Sequence, residues 1–351
     1  GLIEVVGNDI PRIDYTDSSE GVLLLENSSE NKVTYSEDFS QSDWVKTGLT
    51  VNINQITSPD GGLNADEVDI TTANAHYLFD TISVSASTNY TFTFYVKKGT
   101  ATDVSYSILN ATNFTNIVNT TSYFNEISDT DWTRISVEFT TPSGCTSIRT
   151  YPLRDGSSIG TVYIWGAMLE QNSVASSYIP TNGSTVQRAA ETCSDSGNSE
   201  VFNDSQGVVF ANVKYLTETS SFNKSITISD NTINNRLQIT LLTNGELLVL
   251  YGDNSGNQTI QTTNNLTQFN KVALSYDSNS LRFYLNGIEI GNILGDFSSL
   301  NSLQTLRFDN TISEDFYGKT KEIGYYDTAL TDEELEYMTS YRSLNEMVTE
   351  L

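Results

Sequence analysis

The chain has 351 residues, room for about two domains, and its 37% hydrophobic content, with 19 Tyr, 15 Phe and 3 Trp, excludes a disordered polypeptide. Its 44 acidic and 18 basic residues leave a net charge of −26, which repels phosphate backbones and anionic bilayers and argues against nucleic-acid and membrane partners. No apolar run approaches the about 18 residues of a membrane helix.

Residues 1–32 read as a lead-in or attachment segment, opening at Gly1 as a processed or cut terminus. From 33 to 181 short alternating segments and turns predict an antiparallel β-sandwich of jelly-roll type. In YTFTFYVKKG, Tyr90, Phe92, Phe94 and Val96 share one face, and Thr91, Thr93, Tyr95 and Lys97 the other. RISVEFTTPSG repeats the pattern with Ile135, Val137 and Phe139 inward. The segment VYIWGAMLEQNSVASSYIPT, written as a strand, puts Val162, Ile164, Gly166 and Met168 on one face and Tyr163, Trp165, Ala167 and Leu169 on the other. Both faces are apolar, so the strand is expected to be covered on both sides, with Trp165 packed.

The polar stretch 182–205 reads as an inter-domain linker. Residues 206–330 form a second series of strands, with Asn244-Gly245 and Asn286-Gly287 predicting type I′ hairpins. Over 331–351 the period changes to helical, and Thr331 with Glu334 forms a capping box. Tyr337, Tyr341, Leu344, Val348 and Leu351 follow at heptad spacing. This seam either packs on its own domain or joins subunits of a homo-oligomer such as a trimer. The fold class is therefore all-β, two sandwiches in tandem plus a C-terminal α-helix.

Chemistry is sparse. A single histidine, His76, removes multi-histidine metal sites and most triads. Glu67-Val68-Asp69 approaches a glycosidase carboxylate strand, but Thr72 stands where the last acid is needed. GDNSGN, Gly252 to Asn257, reads as a turn or a small Ca²⁺ loop. Cys145 and Cys193 are either one disulfide or two free thiols. Glu37 and Glu170, near the two ends of the first sandwich, are candidate ligands of a structural Ca²⁺.

Sugars offer apolar ring faces to aromatics and hydroxyls to polar side chains, so a glycan platform needs both on an outer face. The candidates are Tyr95, Arg149, Tyr151 and Arg154, with Trp44 either joining them or plugging the rim.

GLIEVVGNDIPRIDYTDSSEGVLLLE, VTYSEDFSQSDWVK, YTFTFYVKKG and the segment from Val162 to Glu191 resemble, in order and spacing, a carbohydrate-binding-like jelly roll of tailed-phage head-spike, head-fibre and tail-fibre proteins. The resemblance spans about residues 1–191, although ENSSENKVTYSEDF departs from the family's usual approach to its Tyr-Ser-x-Asp-Phe motif. KVALSYDSNSLRFYLNGIEIGN and KEIGYYDTALTDEELEYMTS are similar to the central hairpin and the closing strand and helix of concanavalin A/laminin G-type sandwiches. Together the resemblances imply a non-enzymatic virion surface protein, partnered by host glycans and other virion proteins. A purely structural capsid or tail component, a secreted adhesin or enzyme-derived binding region, and an enzyme in its own right are the alternatives.

Overall fold

The computed structural model describes residues 3–341 except 5, 8, 17, 18, 217–222, 263–267 and 311–313. The seam positions Leu344, Val348 and Leu351 lie outside the described residues. The chain divides into two compact units, residues 1–5 with 28–189 and residues 6–27 with 190–351.

In the first unit the alternation of YTFTFYV becomes the strand Asn89–Lys98, paired antiparallel with Thr133–Thr140 so that Phe94 faces Ile135 and Phe92 faces Val137. All four side chains enter one core, where burying a ring stabilises by roughly 2 kcal/mol. Edge to edge, this sheet runs Thr133–Thr140, Asn89–Lys98, Gly160–Glu170, Ala65–Ile70 and Leu49–Ile56. Its partner runs Thr115–Ser122, Ser105–Asn110, Ser147–Arg154, Tyr77–Ser83 and Val45–Thr47. Strands later in the sequence cross between the sheets as a jelly roll requires: Tyr77–Ser83 in one, Asn89–Lys98 in the other, Ser105–Asn110 back in the first.

Gly160–Glu170 is covered on both faces, but its alternation breaks in the middle. The pairing slips between Trp165 and Met168, and Gly166 takes φ +64°. This bulge brings Ala167 and Leu169 onto the core face with Val162 and Ile164, where strict alternation would have put Gly166 and Met168. The interrupted ladder is met by backbone bonds from Ala167 N to Ser36 O and from Lys32 N to Leu169 O, and by one side chain. Asn31 Nδ2 donates to the carbonyls of Ala167 (3.1 Å) and Ile179 (2.8 Å), and Oδ1 accepts from Leu169 N (3.1 Å) and Val33 N (3.0 Å). Every hydrogen-bonding position of this buried amide is thereby filled.

The second unit packs two sheets around its own core. Among the described residues one sheet has seven strands, Ile13–Asp14, Val22–Leu25, Gly318–Tyr326, Gly207–Tyr215, Asn270–Tyr276, Ser280–Leu285 and Ile288–Leu294. The other has five, Gly256–Gln261, Leu247–Asp253, Arg236–Leu241, Lys224–Ser229 and Thr305–Arg307. The expected lead-in is therefore no separate segment. Its apolar run VLLL pairs with Gly318–Tyr326, Leu23 opposite Thr320 and Leu25 opposite Gly318, because four apolar residues in extended chain are stable only on a sheet that buries them. The expected linker is likewise divided: Val186–Arg188 pairs with Ser29–Asn31 in the first unit, and Phe202 packs in the second core.

Asn286 (φ +50°) and Gly287 (φ +83°) make the predicted type I′ turn. At Asn244-Gly245 only the glycine has positive φ, and the loop closes with Leu242 and Glu246 bonded across it, so this hairpin has a longer loop. The two cysteines are free thiols, Cys145 in the first core and Cys193 against the second.

The helix is shorter than expected, Asp332–Thr339, with the Thr331–Glu334 capping box present. It buries Leu335 and Thr339, and Leu335 packs against Val208, Phe210, Ala273 and Tyr284. Tyr337 points away, 67% exposed, and Tyr341 lies past the helix with Lys271 Nζ 5.6 Å from its ring centroid. Within the helix the seam does not face its own domain, because the i, i+4 pair Leu335/Thr339 occupies that side.

Arg12 Nη2 sits 2.6 Å from Glu26 Oε2 and 2.5 Å from Glu191 Oε2, tying the N-terminal strands to the rest of the second unit. Removing the guanidinium leaves the buried Glu26 beside a second carboxylate. Arg12→Ala is expected to lower the second unit's stability by about 3 kcal/mol, read by calorimetry as a downward shift of one of two transitions; two unmoved transitions contradict it.

Asp80, on the stretch of Tyr77–Ser83 beyond its pairing with Val45–Thr47, borders a pocket of about 330 Å³ together with Lys32, Thr34 and Asp43. Burial raises its pKa to about 6, with Asp43 adding to the rise and the Thr81 N–H opposing it. Since the folded carboxyl binds its proton more tightly than the unfolded one, this group's contribution falls as pH rises from about 4 to about 6. Asp80→Asn is therefore expected to be more stable than wild type by roughly 1–3 kcal/mol above pH 6, converging with it near pH 4. Denaturant titrations at the two pH values check the sign.

Candidate functional site

The five residues proposed for one platform lie in three places. Trp44 is buried in the first core, against Phe39 at 4.8 Å, and its indole N–H donates to the Tyr35 carbonyl (2.8 Å). It offers no ring face to a ligand. Its side of the Asp43-Trp44 turn was ambiguous in the sequence because one residue between polar turn and strand has no periodicity to read.

Tyr95 is on the other sheet, where it forms a three-ring cluster with Trp165 (5.5 Å) and Tyr178 (6.3 Å), Trp165 and Tyr178 being 4.6 Å apart. Arg134 lies 5.6 Å from the Tyr95 ring centroid and donates to Thr93 Oγ1. Tyr178 also donates to Glu37 Oε1 (2.9 Å). Burial pushes the Glu37 carboxyl up, and Asp60 adds to this against the bond from Tyr178.

The two proposed calcium ligands have different hydrogen-bond partners. Glu37 is held by Tyr178 and Asn64, whereas both Glu170 oxygens are occupied by Ser176 N (2.7 Å), Ser176 Oγ (2.6 Å) and Ser29 Oγ (2.7 Å). Among the described residues no group of three or more His, Cys, Asp or Glu is placed to hold a metal. The GDNSGN loop is a hairpin turn in which Asp253 Oδ1 accepts from Ser255 N and Oγ. His76 is buried, its Nδ1 2.8 Å from the Thr72 carbonyl.

Arg149, Tyr151 and Arg154 do lie together, on the outer face of Ser147–Arg154. Arg149 stands opposite Thr81 on one neighbouring strand and Leu109 on the other, and Tyr151 opposite Ser107. Beside them are Tyr77 and Phe79, which the alternation in HYLFDTIS puts on the same side as Thr81. Phe79 and Tyr151 pack at 4.8 Å with their planes tilted by 42°, with Tyr77 5.7 Å and 6.4 Å from them, and with Leu109 they form a hydrophobic cluster separate from the core.

The rings form a floor, and the arginines lie over it. Arg149 Cζ is 4.5 Å from the Phe79 centroid and 5.3 Å from that of Phe114, and Arg154 Cζ is 4.7 Å from Tyr151. Phe79 and Tyr151 are 6% and 5% exposed, whereas Phe114 is 66% exposed. Arg154 Nη1 donates to Ser107 Oγ (3.0 Å) and Asn116 Oδ1 (3.2 Å), and its Nε lies 3.4 Å from Asp155. The face thus presents guanidinium edges and one bare ring to solvent. Tyr77 and Phe79 were legible from period-two alternation; Phe114, in a turn with φ +59°, was not.

The second unit is arranged differently. Its five-stranded sheet carries buried hydroxyls and amides on one face, Ser225, Gln238 and Thr240 bonding one another, and Glu314 accepting from Ser225. Exposed aromatics occur at Tyr326 and Tyr337, which border a pocket of about 400 Å³ with Leu330, Glu333, Glu334 and Met338.

No curated protein matches the chain. Among solved structures, a heptameric SAP-like pentraxin from Limulus polyphemus is 15% identical, with a TM-score of 0.32 over 40% of this chain and 71% of the pentraxin. The Ruminococcus gnavus IT-sialidase CBM40 is 16% identical, with a TM-score of 0.34 over 43% of this chain and 97% of that one. The tailspike protein 4 enzymatically active domain of bacteriophage CBA120 is 17% identical, with a TM-score of 0.30 over 40% of this chain and 21% of the tailspike. At these scores the likenesses carry no functional argument. The family model of the concanavalin A-like lectin/glucanases superfamily matches residues 213–336, so the second unit contains a concanavalin A-like lectin domain of laminin G type.

Proposed function

We propose that the protein is a non-enzymatic glycan-binding adhesin whose primary ligand face is the aromatic floor with its arginine cover in the first unit. The carrying observation is that Tyr77, Phe79, Tyr151 and Phe114 gather with Arg149 and Arg154 on the outside of one sheet, separate from the core. The exposed ring of Phe114 and the arginine donors held over the covered rings are a combination that a saccharide's apolar face and hydroxyls engage. A lectin-type second unit agrees with a saccharide ligand.

The setting we propose is the surface of a tailed-phage virion, where the protein contacts other capsid or tail proteins and host-cell glycans. Support for this setting is the order of four motifs over residues 1–191. Display in many copies suits a shallow face, since simultaneous engagement raises effective affinity by roughly 10²–10⁴.

A glycan array with wild type, Phe114→Ala and Tyr337→Ala tests the assignment. Both changed side chains are exposed, so folding is expected to be unaffected. Wild type is expected to retain saccharides, Phe114→Ala to lose about tenfold, the order of one lost ring contact, and Tyr337→Ala to match wild type. Loss with Tyr337→Ala alone places the ligand on the second unit, and an empty array removes the adhesin reading.

A further inference from the structure

The Arg149 side chain makes no hydrogen bond and no ion pair among the described residues, and its Nε is buried without an acceptor. This is unusual in a chain with 44 acidic side chains against 18 basic ones, where a free guanidinium would be expected to collect a carboxylate. Its neighbours across the sheet, Thr81 and Leu109, carry no charge, and its contacts are the rings of Phe79 and Phe114. On the same strand Arg154 lies over Tyr151, held by Ser107 and Asn116, with Asp155 at 3.4 Å its sole ion-pair partner among the described residues. Both guanidinium groups therefore lie over rings, and the four Nη N–H donors of Arg149 are unengaged while its Nε is buried.

We infer that Arg149 and Arg154 form an anion-binding pair, and that the glycan taken by this face carries an acidic substituent, a carboxylate or a sulfate. The inference rests on the glycan-binding reading of the same face and narrows it. Stacking on a ring fixes the guanidinium plane, so little side-chain freedom remains to be lost when its N–H fork meets two oxygens of an anion. A neutral saccharide offers hydroxyls that satisfy these donors without neutralising them, leaving the charge on Arg149 uncompensated. The net negative charge of the protein repels polyanions in general, so retention of an acidic polymer requires a specific cationic site such as this pair.

The test is surface plasmon resonance of the full chain against two pairs of polymers: polygalacturonate with its methyl ester, and dextran sulfate with dextran. Within each pair the backbone is constant and the charge is removed. The expected result is retention of at least one acidic member, at least tenfold weaker binding of its neutral counterpart, and progressive loss as NaCl is raised. Which pair responds separates carboxylate from sulfate recognition. Arg149→Gln is expected to weaken the acidic binding at least tenfold, with Arg149→Lys recovering only part because a point charge lacks the planar fork. The Phe114→Ala variant marks the face.

Equal binding of acidic and neutral members, sensitive to Phe114→Ala and indifferent to Arg149→Gln, overturns the acidic-ligand inference and leaves the glycan face standing. The acidic-ligand inference is equally overturned if all four polymers are silent while the array shows neutral saccharides retained through Phe114. Silence in both experiments overturns the face itself.

Discussion

The first unit depends on how one interrupted ladder is closed. Gly160–Glu170 runs between two paired neighbours with both faces covered, so an unpaired N–H or C=O there would carry the full cost of a buried polar group. The bulge at Gly166 opens that ladder and turns Ala167 and Leu169 into the core. The amide of Asn31 meets the opening with two of its four hydrogen bonds, to Ala167 O and from Leu169 N, and Glu170 closes its end on Ser29 and Ser176. A segment more than a hundred residues away in sequence therefore completes the central strand.

The same part of the chain also completes the second unit. Val22–Leu25 adds to the seven-stranded sheet a few residues before Ser29–Asn31 pairs in the first unit, and Arg12 binds Glu26 to Glu191. The N-terminal stretch is thus structural in both units, with apolar strands, one buried amide and one half-buried arginine as its means. A separate attachment arm would have no comparable partners.

The outer face of Ser147–Arg154 uses aromatic rings in a second way. Phe79 and Tyr151 are almost fully covered, and what covers them is arginine. The rings contribute less as sugar platforms than as supports that orient guanidinium groups in a protein otherwise dominated by carboxylates. This changes which side chains meet a ligand: Phe114 by its exposed ring, Arg149 and Arg154 by their donors.

Much of this was legible in the sequence. Strict alternation in YTFTFYV and RISVEF specified strands and their inward faces, Asn286-Gly287 specified its turn, and Thr331 with Glu334 specified a helix start, because each is decided by local backbone geometry and solvent partition. The all-β class follows from the same local signals repeated, whereas the concanavalin A-like type of the second unit was legible only as a resemblance of whole segments, which the family model bears out. Only the tertiary structure could separate Trp44 and Tyr95 from Arg149, Tyr151 and Arg154, since alternation says which residues share a strand face but not which strands share a sheet. Only it could join Glu170 to serines rather than to Glu37, or place VLLL on a sheet whose neighbouring strand comes near the other end of the chain. The physical reason is common to all three: a buried hydrogen-bonding group or apolar run must find some partner, and sequence states the need while long-range packing chooses who meets it.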